Sequence, residues 1–468
     1  TIPNDHIEHA LAQLKHDATY VGLRSLRDGR SVIEPWPISR TYSLEERIKC
    51  ARSYRKKDEE LQENTSISEL EKLMLEKEYQ KKFYIFRYDQ LSLMHQAIYG
   101  SDGVRQRFIQ FWMNHFTVGD TNGTRFYMGH LYKDIIGRGI DGHFSELTYD
   151  VIRHPAMLTY LDNVYSIGEK SKEARENNGD SEIGLNDNLA RELLELHTVS
   201  PSAKYTEMDI HNAAKILAGW GQIFNHPNSY RWFREAGISD FNDAYFHRRA
   251  EPGEKVVMER TYPTGKKSLR LLIDDLSTSV FTIEFISYKL CLHFISDEPS
   301  HEDVNYVANA WRASHGYLPD VHKAVIERSA NADVPKVQWP LTWLLTLARI
   351  TQARLFYGWE DMYDDDDLSK GEYKPRKIME ELGQNFWARR QPDGFSLNSI
   401  DWISPEHMER RIRFSTMITK HCKPQLHPEE LASRVGASSE TLELISKGRS
   451  IHDQFILLAC SKEIMGTI

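Results

Sequence analysis

Residues 186–198, NDNLARELLELHT, combine carboxylates, an arginine and a histidine with regularly spaced leucines. At about 100° per residue, a helix here would have one apolar side and one polar side. The apolar side is predicted to hold Leu185, Leu189, Leu193 and Leu196, and the polar side Asp187, Asn188, Arg191, Glu192 and Glu195. If they line a cavity, Glu192 and Glu195 could act as general acid and base. The alternative is a solvent-exposed face with an Arg191–Glu195 ion pair, while His197 falls within the apolar sector as a core histidine.

A second polar stripe lies upstream, in HFSELTYDVIRHPAM. His143, Glu146, Asp150 and His154 are spaced by three, four and four residues, so a continuous helix would align them on one face. Such a row could bind a transition metal or supply an acid–base pair. Asp150 and His154 could equally form a simple pair, and Pro155 disfavours a helix that continues past His154.

Further polar residues join these stripes in one hypothetical site. His115 lies among aromatic residues in FWMNHF, where a hydrogen-bonded core histidine is the alternative. The candidate catalytic residues are Glu192, Glu195, His197, His154 and Asp162, with Asn188 and His115 beside them. The candidate metal ligands are His115, His154 and His197. We expect no cofactor, with a divalent metal as the alternative, and the chain has no P-loop, GxGxxG, HExxH or GxSxG motif.

The elements that must position these residues are mostly helices, because apolar residues recur with helical spacing along most of the chain. We predict a mostly α fold: a multi-helical globular core with a small β-hairpin or irregular excursion near residues 256–258. The predicted parts are an N-terminal helical region, a helical core carrying the motifs, the β-containing excursion and a C-terminal helical region, at 1–100, 101–222, 223–268 and 269–468. The charged, glycine-containing stretch from about 169 to 182 predicts an exposed, mobile loop.

Composition limits the function classes. Hydrophobic residues make up 40% and the formal net charge is −9, which fits a soluble globular protein and argues against a nucleic-acid partner. No apolar run is long enough to span a membrane. No charged-then-apolar leader follows Thr1, which fits both a cytosolic protein without its methionine and a processed exported protein.

Several segments resemble the bacterial DUF1800 family, whose function is uncharacterised. In chain order they are RFIQFWMNHFTV, RHPAMLTYLDN, GLNDNLARELLELHT, YTEMDIHNAAKILAGW, KLCLHFISDEP and LGQNFWARRQPDGF, from about residue 100 to about residue 415. Family members are commonly exported and often encoded beside a second uncharacterised family with a phosphatase-like or sulfatase-like fold. The resemblance alone therefore implies export, to the periplasm or beyond, and a protein partner in the cell envelope.

This chain departs from the family pattern at several polar positions. The family commonly has histidine where this chain has Met113 and Ala250, glutamate in place of Asp187, and Leu-Gly in place of Val199-Ser200. Two groups that could bind a metal or transfer a proton are thus missing, which implies lost or altered activity.

These residues leave two classes of function open. We predict a non-catalytic binding or structural subunit, in which the polar residues form a buried network that holds the helices in register. The alternative is a metal-dependent or acid–base enzyme, hydrolytic in one version, that uses the histidine and carboxylate cluster.

Overall fold

A computed structural model describes most of the chain. The described residues are 4–15, 20–24, 32–63, 68, 84–121, 123–176, 184–222, 243–332, 336–351, 375–421 and 427–466. Within them the protein is mostly helical, with two small antiparallel sheets, which confirms the predicted fold class. No helix in this part of the chain is both long enough and apolar enough to cross a bilayer. The four-part division of the chain stays a prediction.

The N-terminal elements lead to two helices of the core. In chain order they are α1 (Asn4–Ala12), β1 (Val21–Arg24), β2 (Val32–Pro35), α2 (Leu44–Glu63), α3 (Tyr84–Tyr99) and α4 (Gly103–His115). β1 and β2 pair antiparallel, from Val21 opposite Pro35 to Arg24 opposite Val32. α4 is buried along most of its length, with Trp112 0% exposed.

The middle of the chain carries shorter helices and the second hairpin. They are α5 (Met128–His130, then a π-helical Leu131–Ile136, then Gly137–Gly139), α6 (Phe144–Ile152), α7 (Pro155–Tyr160), α8 (Lys172–Glu176), α9 (Asn188–Glu192, then a π-helical Leu193–His197), α10 (Glu207–Leu217), β3 (Lys255–Val257) and β4 (Arg260–Tyr262).

The described C-terminal part is mostly helical, apart from an irregular segment at residues 383–398 and shorter connections. Its helices are α11 (Lys267–Thr278), α12 (Val280–Phe294), α13 (His301–Ser314), α14 (Leu318–Ser329), α15 (Pro340–Thr351), α16 (Pro375–Leu382), α17 (Pro405–His421), α18 (Pro428–Arg434), α19 (Ser439–Ser446), α20 (Ile451–Ala459) and α21 (Lys462–Met465). Short 3₁₀ turns lie at Ile38–Arg40, Asn163–Tyr165, Pro201–Ala203 and Ser399–Trp402.

The predicted β excursion is a tight hairpin. β3 and β4 pair antiparallel, with Lys255 opposite Tyr262. The connecting Met258 and Glu259 both have positive φ, 47° and 66°, as a two-residue type I′ turn requires. The Met258 amide donates to Oδ1 of Asp209 at 2.7 Å, which anchors the turn to α10. Residues 223–242 of the excursion lie outside the described residues.

A buried ion pair joins the N-terminal helices to the core. The guanidinium of Arg47 on α2 donates to both carboxylate oxygens of Asp89 on α3, each at 2.7 Å, and both side chains are 1% exposed. Arg47 also donates to the carbonyl of Phe126 at 3.0 Å, just before α5. Such bidentate geometry satisfies both buried charges and fixes the register of the three segments.

The stretch predicted as an exposed loop, 169–182, is only partly such a loop. Lys172–Glu176 forms α8, and the buried Glu173 accepts a hydrogen bond from Nε of Arg249 at 3.2 Å. The charge pattern of this stretch could not distinguish Glu173, which pairs with the distant Arg249, from its solvent-exposed neighbours. Residues 177–183 lie outside the described residues.

Candidate active site

α9 changes its geometry halfway along. Asn188–Glu192 is α-helical, and Leu193–His197 continues it as a π-helix. His197 is 0% exposed, as its place in the apolar sector predicted, whereas Glu192 and Glu195 are half-buried. Single π-helical turns occur frequently at functional sites.

The π-helical turn also explains one wrong prediction on the apolar side. Leu189 and Leu193 are 0% exposed, as predicted, but Leu196 is only half-buried. Residues in a π-helix advance by less than 100° each, so Leu196 is rotated away from the face that Leu193 occupies.

The acidic side of α9 does not form the ion pair proposed as the alternative. Arg191 pairs with Oε2 of Glu207 at 2.8 Å and with Oδ2 of Asp187 at 3.3 Å. Among the described residues, neither Glu192 nor Glu195 has a cation within ion-pair distance. Their charges are therefore not neutralised by a direct partner in this part of the chain.

His115 joins α4 to α9 and to α12. Its Nε2 lies 3.2 Å from the carbonyl oxygen of His197, and because a carbonyl only accepts, Nε2 carries the hydrogen. Nδ1 is then the acceptor for Nζ of Lys289, at 3.0 Å. Burial, and then the charge of Lys289, hold the pKa of His115 well below its usual range. His115 is thus a neutral imidazole that accepts a hydrogen bond from the lysine.

Lys289 is the residue on which this site centres. It lies on α12 and is partly buried, and burial lowers the pKa of its amine to about 8, against the opposing charge of Asp393. No carboxylate of the described residues lies within ion-pair distance of its Nζ. A lysine whose pKa is near 8 supplies a neutral amine close to physiological pH.

Glu192 could act as an acid, whereas Lys289 could act as a base. Burial, and then the charge of Glu195, raise the pKa of Glu192 to about 7, and Asp393 adds to the effect. Part of its population therefore keeps a proton near neutral pH and could donate it. We call the combined set the Lys289 cluster: His115, Glu192, Glu195, His197, Lys289 and Asp393.

Asp393 is held beside the cluster by a turn that docks on α4. Asn114 accepts from the amide of Phe395 at 2.7 Å through Oδ1 and donates to the Phe395 carbonyl at 3.0 Å through Nδ2. Gly394 has a φ of 74°, and a Cβ there would lie 2.5 Å from the Asn114 carbonyl oxygen. The turn therefore needs glycine, both for its conformation and for its close approach to α4.

The segment before this turn is fixed in the same way. The Tyr160 hydroxyl donates to the Arg389 carbonyl at 3.0 Å, and the Asp120 amide donates to the Trp387 carbonyl at 2.7 Å. A Cβ on Gly119 would overlap the Arg389 carbonyl oxygen. The loop after α4 and Tyr160 on α7 thus hold residues 387–389, which lead to Asp393.

His154 belongs to a different pair. Its Nδ1 accepts from the Ala156 amide at 3.2 Å, so its Nε2 carries the hydrogen and donates to Nδ1 of His130 at 3.0 Å. Burial holds the pKa of His154 well below its usual range and lowers that of His130 to about 4. The structure therefore does not place His154 with His115 and His197.

The upstream stripe is not one helical face. α6 ends at Ile152, because His154 before Pro155 is extended, with ψ 138°. His143 is the N-cap of α6, and Asp150 pairs with Arg153 at 2.7 Å rather than with His154. The predicted four-residue row is therefore wrong.

Two other predicted members are exposed. Asp162 follows α7 in the left-handed conformation, with φ 58°, and burial by its neighbours raises its carboxyl pKa. Asn188 is exposed at the start of α9. No hydrogen bond between either side chain and the Lys289 cluster is found among the described residues.

The predicted metal ligands do not assemble. The described residues contain no group of three or more His, Cys, Asp or Glu side chains placed to hold a metal ion. His115 and His197 are neighbours, with ring centroids 5.9 Å apart, and burial lowers the pKa of His197 to about 3. Neither ring nitrogen of His197 has a hydrogen-bond partner in the described part of the chain. Cofactor and metal content stay predictions.

Two of the departures from the family pattern, Met113 and Ala250, have identifiable surroundings. Met113 lines a small apolar cavity of about 30 Å³ together with Leu345 and Trp387. Residues two apart on an α-helix point about 160° away from each other, so a side chain at 113 faces away from His115. Ala250 packs against the core before the β3–β4 hairpin. The substitution at 113 therefore removes no member of the Lys289 cluster.

Ser200 should destabilise the native state, which gives a testable prediction. Its φ and ψ, 60° and 167°, lie in a region that only glycine adopts readily, and the family commonly has glycine here. We expect Ser200→Gly to raise the free energy of unfolding by about 1 kcal/mol, because relief of backbone strain exceeds the loss of the Ser200 cap and the added freedom of the unfolded chain. Urea denaturation measures it. Ser200→Ala removes the cap and keeps the strain, so a glycine variant less stable than the alanine variant would contradict this account.

Two cluster members were missed in the sequence, although each left a signal. Lys289 is a lone lysine near the end of an otherwise mostly apolar helix, TIEFISYKLCLHF. A charged side chain on such a helix is costly to bury unless it has a partner or a function. Asp393 lies in QPDGF, a turn sequence within one of the family-like segments, and binding and catalytic residues are disproportionately found on loops.

Fold and site together define a mostly helical protein with a half-buried cluster of acid–base groups. The chain belongs to the family DUF1800, described as a protein of unknown function, whose model matches residues 24–455. The match extends the resemblance found in the sequence at both ends. Comparisons with curated proteins and with solved structures give no match.

Proposed function

We propose that the protein is an enzyme that works by acid–base chemistry at the Lys289 cluster. The observation that carries this proposal is the environment of Lys289: its amine donates to a neutral imidazole, and no carboxylate among the described residues pairs with it. A lysine kept only for stability would gain more from an ion pair. The proposal takes the acid–base alternative over the binding or structural subunit that the sequence favoured.

The roles follow from the direction of each pKa shift. Lys289, with its pKa lowered to about 8, is the base, and Glu192, with its pKa raised to about 7, is the acid. The charge of Asp393 raises both pKa values and so favours the protonated form of each group. His115 is a positioning residue that holds the amine. A purely structural role fits the separate, buried Arg47–Asp89 ion pair better than it fits the Lys289 cluster.

The pKa of Lys289 is the direct test. Trace acetylation with acetic anhydride across pH 6 to 11, read by mass spectrometry, should place its half-reaction near pH 8. The amine of an ordinary lysine has a pKa of about 10.4. The exposed Lys323 on α14 is the internal reference. If Lys289 reaches half-reaction at a pH no lower than Lys323 does, Lys289 cannot act as the base and the proposal fails.

Glu192 makes a second prediction, on stability. Its folded pKa lies above its unfolded pKa, so stability is full below about pH 4.5 and falls as pH rises to about 7. Glu192→Gln cannot ionise, and we expect it to stabilise the protein by about 1–2 kcal/mol at pH 8, after discounting for solvent screening, and by much less at pH 5. Chemical denaturation at the two pH values measures this.

Glu207→Gln is the matched control. Glu207 is exposed, pairs with Arg191, and has its pKa lowered by that hydrogen bond, so it is ionised at both pH values. Its replacement should change stability little and equally at pH 5 and pH 8. If Glu192→Gln instead destabilises the protein equally at both values, Glu192 is part of a structural network, as the sequence had favoured.

A further inference from the structure

The surroundings of Lys289 suit a nucleophile. The side chain emerges from the apolar α12 and is partly buried, with Nζ 5.2 Å from the ring centroid of Phe285 one turn earlier. An aromatic face stabilises a cation without supplying a base that would hold a proton. A covalent cationic adduct of this nitrogen would keep that stabilisation.

His115 leaves the reactive electron pair of the amine free. Its Nδ1 is the hydrogen-bond acceptor because Nε2 is engaged by the His197 carbonyl. A neutral lysine amine donates one N–H to Nδ1 and directs its lone pair elsewhere. Its position is thus fixed while its nucleophilic orbital stays available, which is the arrangement that activates an amine.

We propose that Lys289 forms an imine with an aldehyde or ketone substrate, an inference that rests on the proposed function and names its substrate class. The amine nitrogen attacks the carbonyl carbon, and the carbonyl π bond opens to a carbinolamine. The oxygen takes one proton from the nitrogen and one from an acid, and it leaves as water. The product is a protonated imine, so that carbonyl, amine and one proton give iminium and water.

The electrostatics of the cluster favour this product. The iminium keeps one positive charge on the nitrogen, and the charge of Asp393, which raises the pKa of Lys289, favours that positive charge. The protonated fraction of Glu192 provides an acid in the same cluster. Lys289 acting as a proton-transfer base without a covalent bond is the competing role.

Reductive trapping distinguishes the two roles. The full-length protein is treated at pH 7 with a small amount of propanal and sodium cyanoborohydride, and propylated lysines are mapped by peptide mass spectrometry. We expect Lys289 to be alkylated roughly tenfold faster than the exposed Lys323, because burial lowers the pKa of the Lys289 amine and so raises its neutral fraction above that of an ordinary lysine. Lys289→Arg keeps the charge and the donor and should lose the fast-labelled site.

The outcomes separate this inference from the proposed function. If Lys289 acetylates with a half-reaction near pH 8 but is propylated no faster than Lys323, imine formation is overturned and the acid–base role stands. If neither reagent distinguishes Lys289 from Lys323, both fail. The wild-type measurement needs no variant, so it decides the question even if Lys289→Arg does not fold.

Discussion

Leu193→Ala is expected to lower the free energy of unfolding by about 2–5 kcal/mol. Leu193 is 0% exposed at the point where α9 turns from α-helix to π-helix. Truncation removes buried methyl groups and leaves a cavity that the irregular turn fills poorly. Urea denaturation with a linear extrapolation gives the value.

The matched control is Leu271→Ala on α11, where the leucine is 45% exposed and its truncation should change stability little. Similar values for the two variants would mean that α9 is not packed in the core. The Lys289 cluster would then lose the element that carries Glu192 and His197.

Gly394→Ala should destabilise the protein by about 2–3 kcal/mol and also change the chemistry of the cluster. A Cβ at this position meets both the unfavourable φ of 74° and the Asn114 carbonyl oxygen at 2.5 Å. The turn must shift, which moves Asp393 away from Lys289. Since Asp393 raises the pKa of both Lys289 and Glu192, both values should fall.

Denaturation and the acetylation titration measure the two effects separately. Gly184→Ala is the control, because no atom of the described residues lies within 4 Å of a Cβ built at that exposed glycine. A Gly394→Ala variant with unchanged stability and an unchanged Lys289 titration would contradict the docking of this turn on α4.

Local sequence patterns predicted those parts of the site that depend on neighbours in the chain. The helix across 188–197 and the burial of Leu189, Leu193 and His197 follow from helical periodicity, and the break before Pro155 follows from proline sterics. Helical periodicity gave a wrong prediction for the row from His143 to His154, because this row crosses the break between α6 and α7.

The centre of the site was not predictable in this way. Lys289 and His115 are 174 residues apart, and a single sequence contains no signal for such a contact. The pairing of His154 with His130 is likewise tertiary, because the two residues are 24 positions apart and only His130 lies within a helix. A helical wheel also assumes the same rotation of about 100° for every residue, so it could not predict the π-helical turn at Leu193–His197.

That π-helical turn has a consequence for the evolution of this segment. Compared with an α-helix, it contains a surplus residue, so it resembles an insertion absorbed without forming a loop. Deleting one residue between Leu193 and His197 would restore regular winding and leave the two flanks of α9 nearly in phase, because five π-helical steps of about 82° turn the chain about as far as four α-helical steps of about 100°. Glu192 would then keep its side of α9 while His197 stayed in the core. The segment between Glu192 and His197 could therefore lose one residue in evolution without moving the elements that α9 joins.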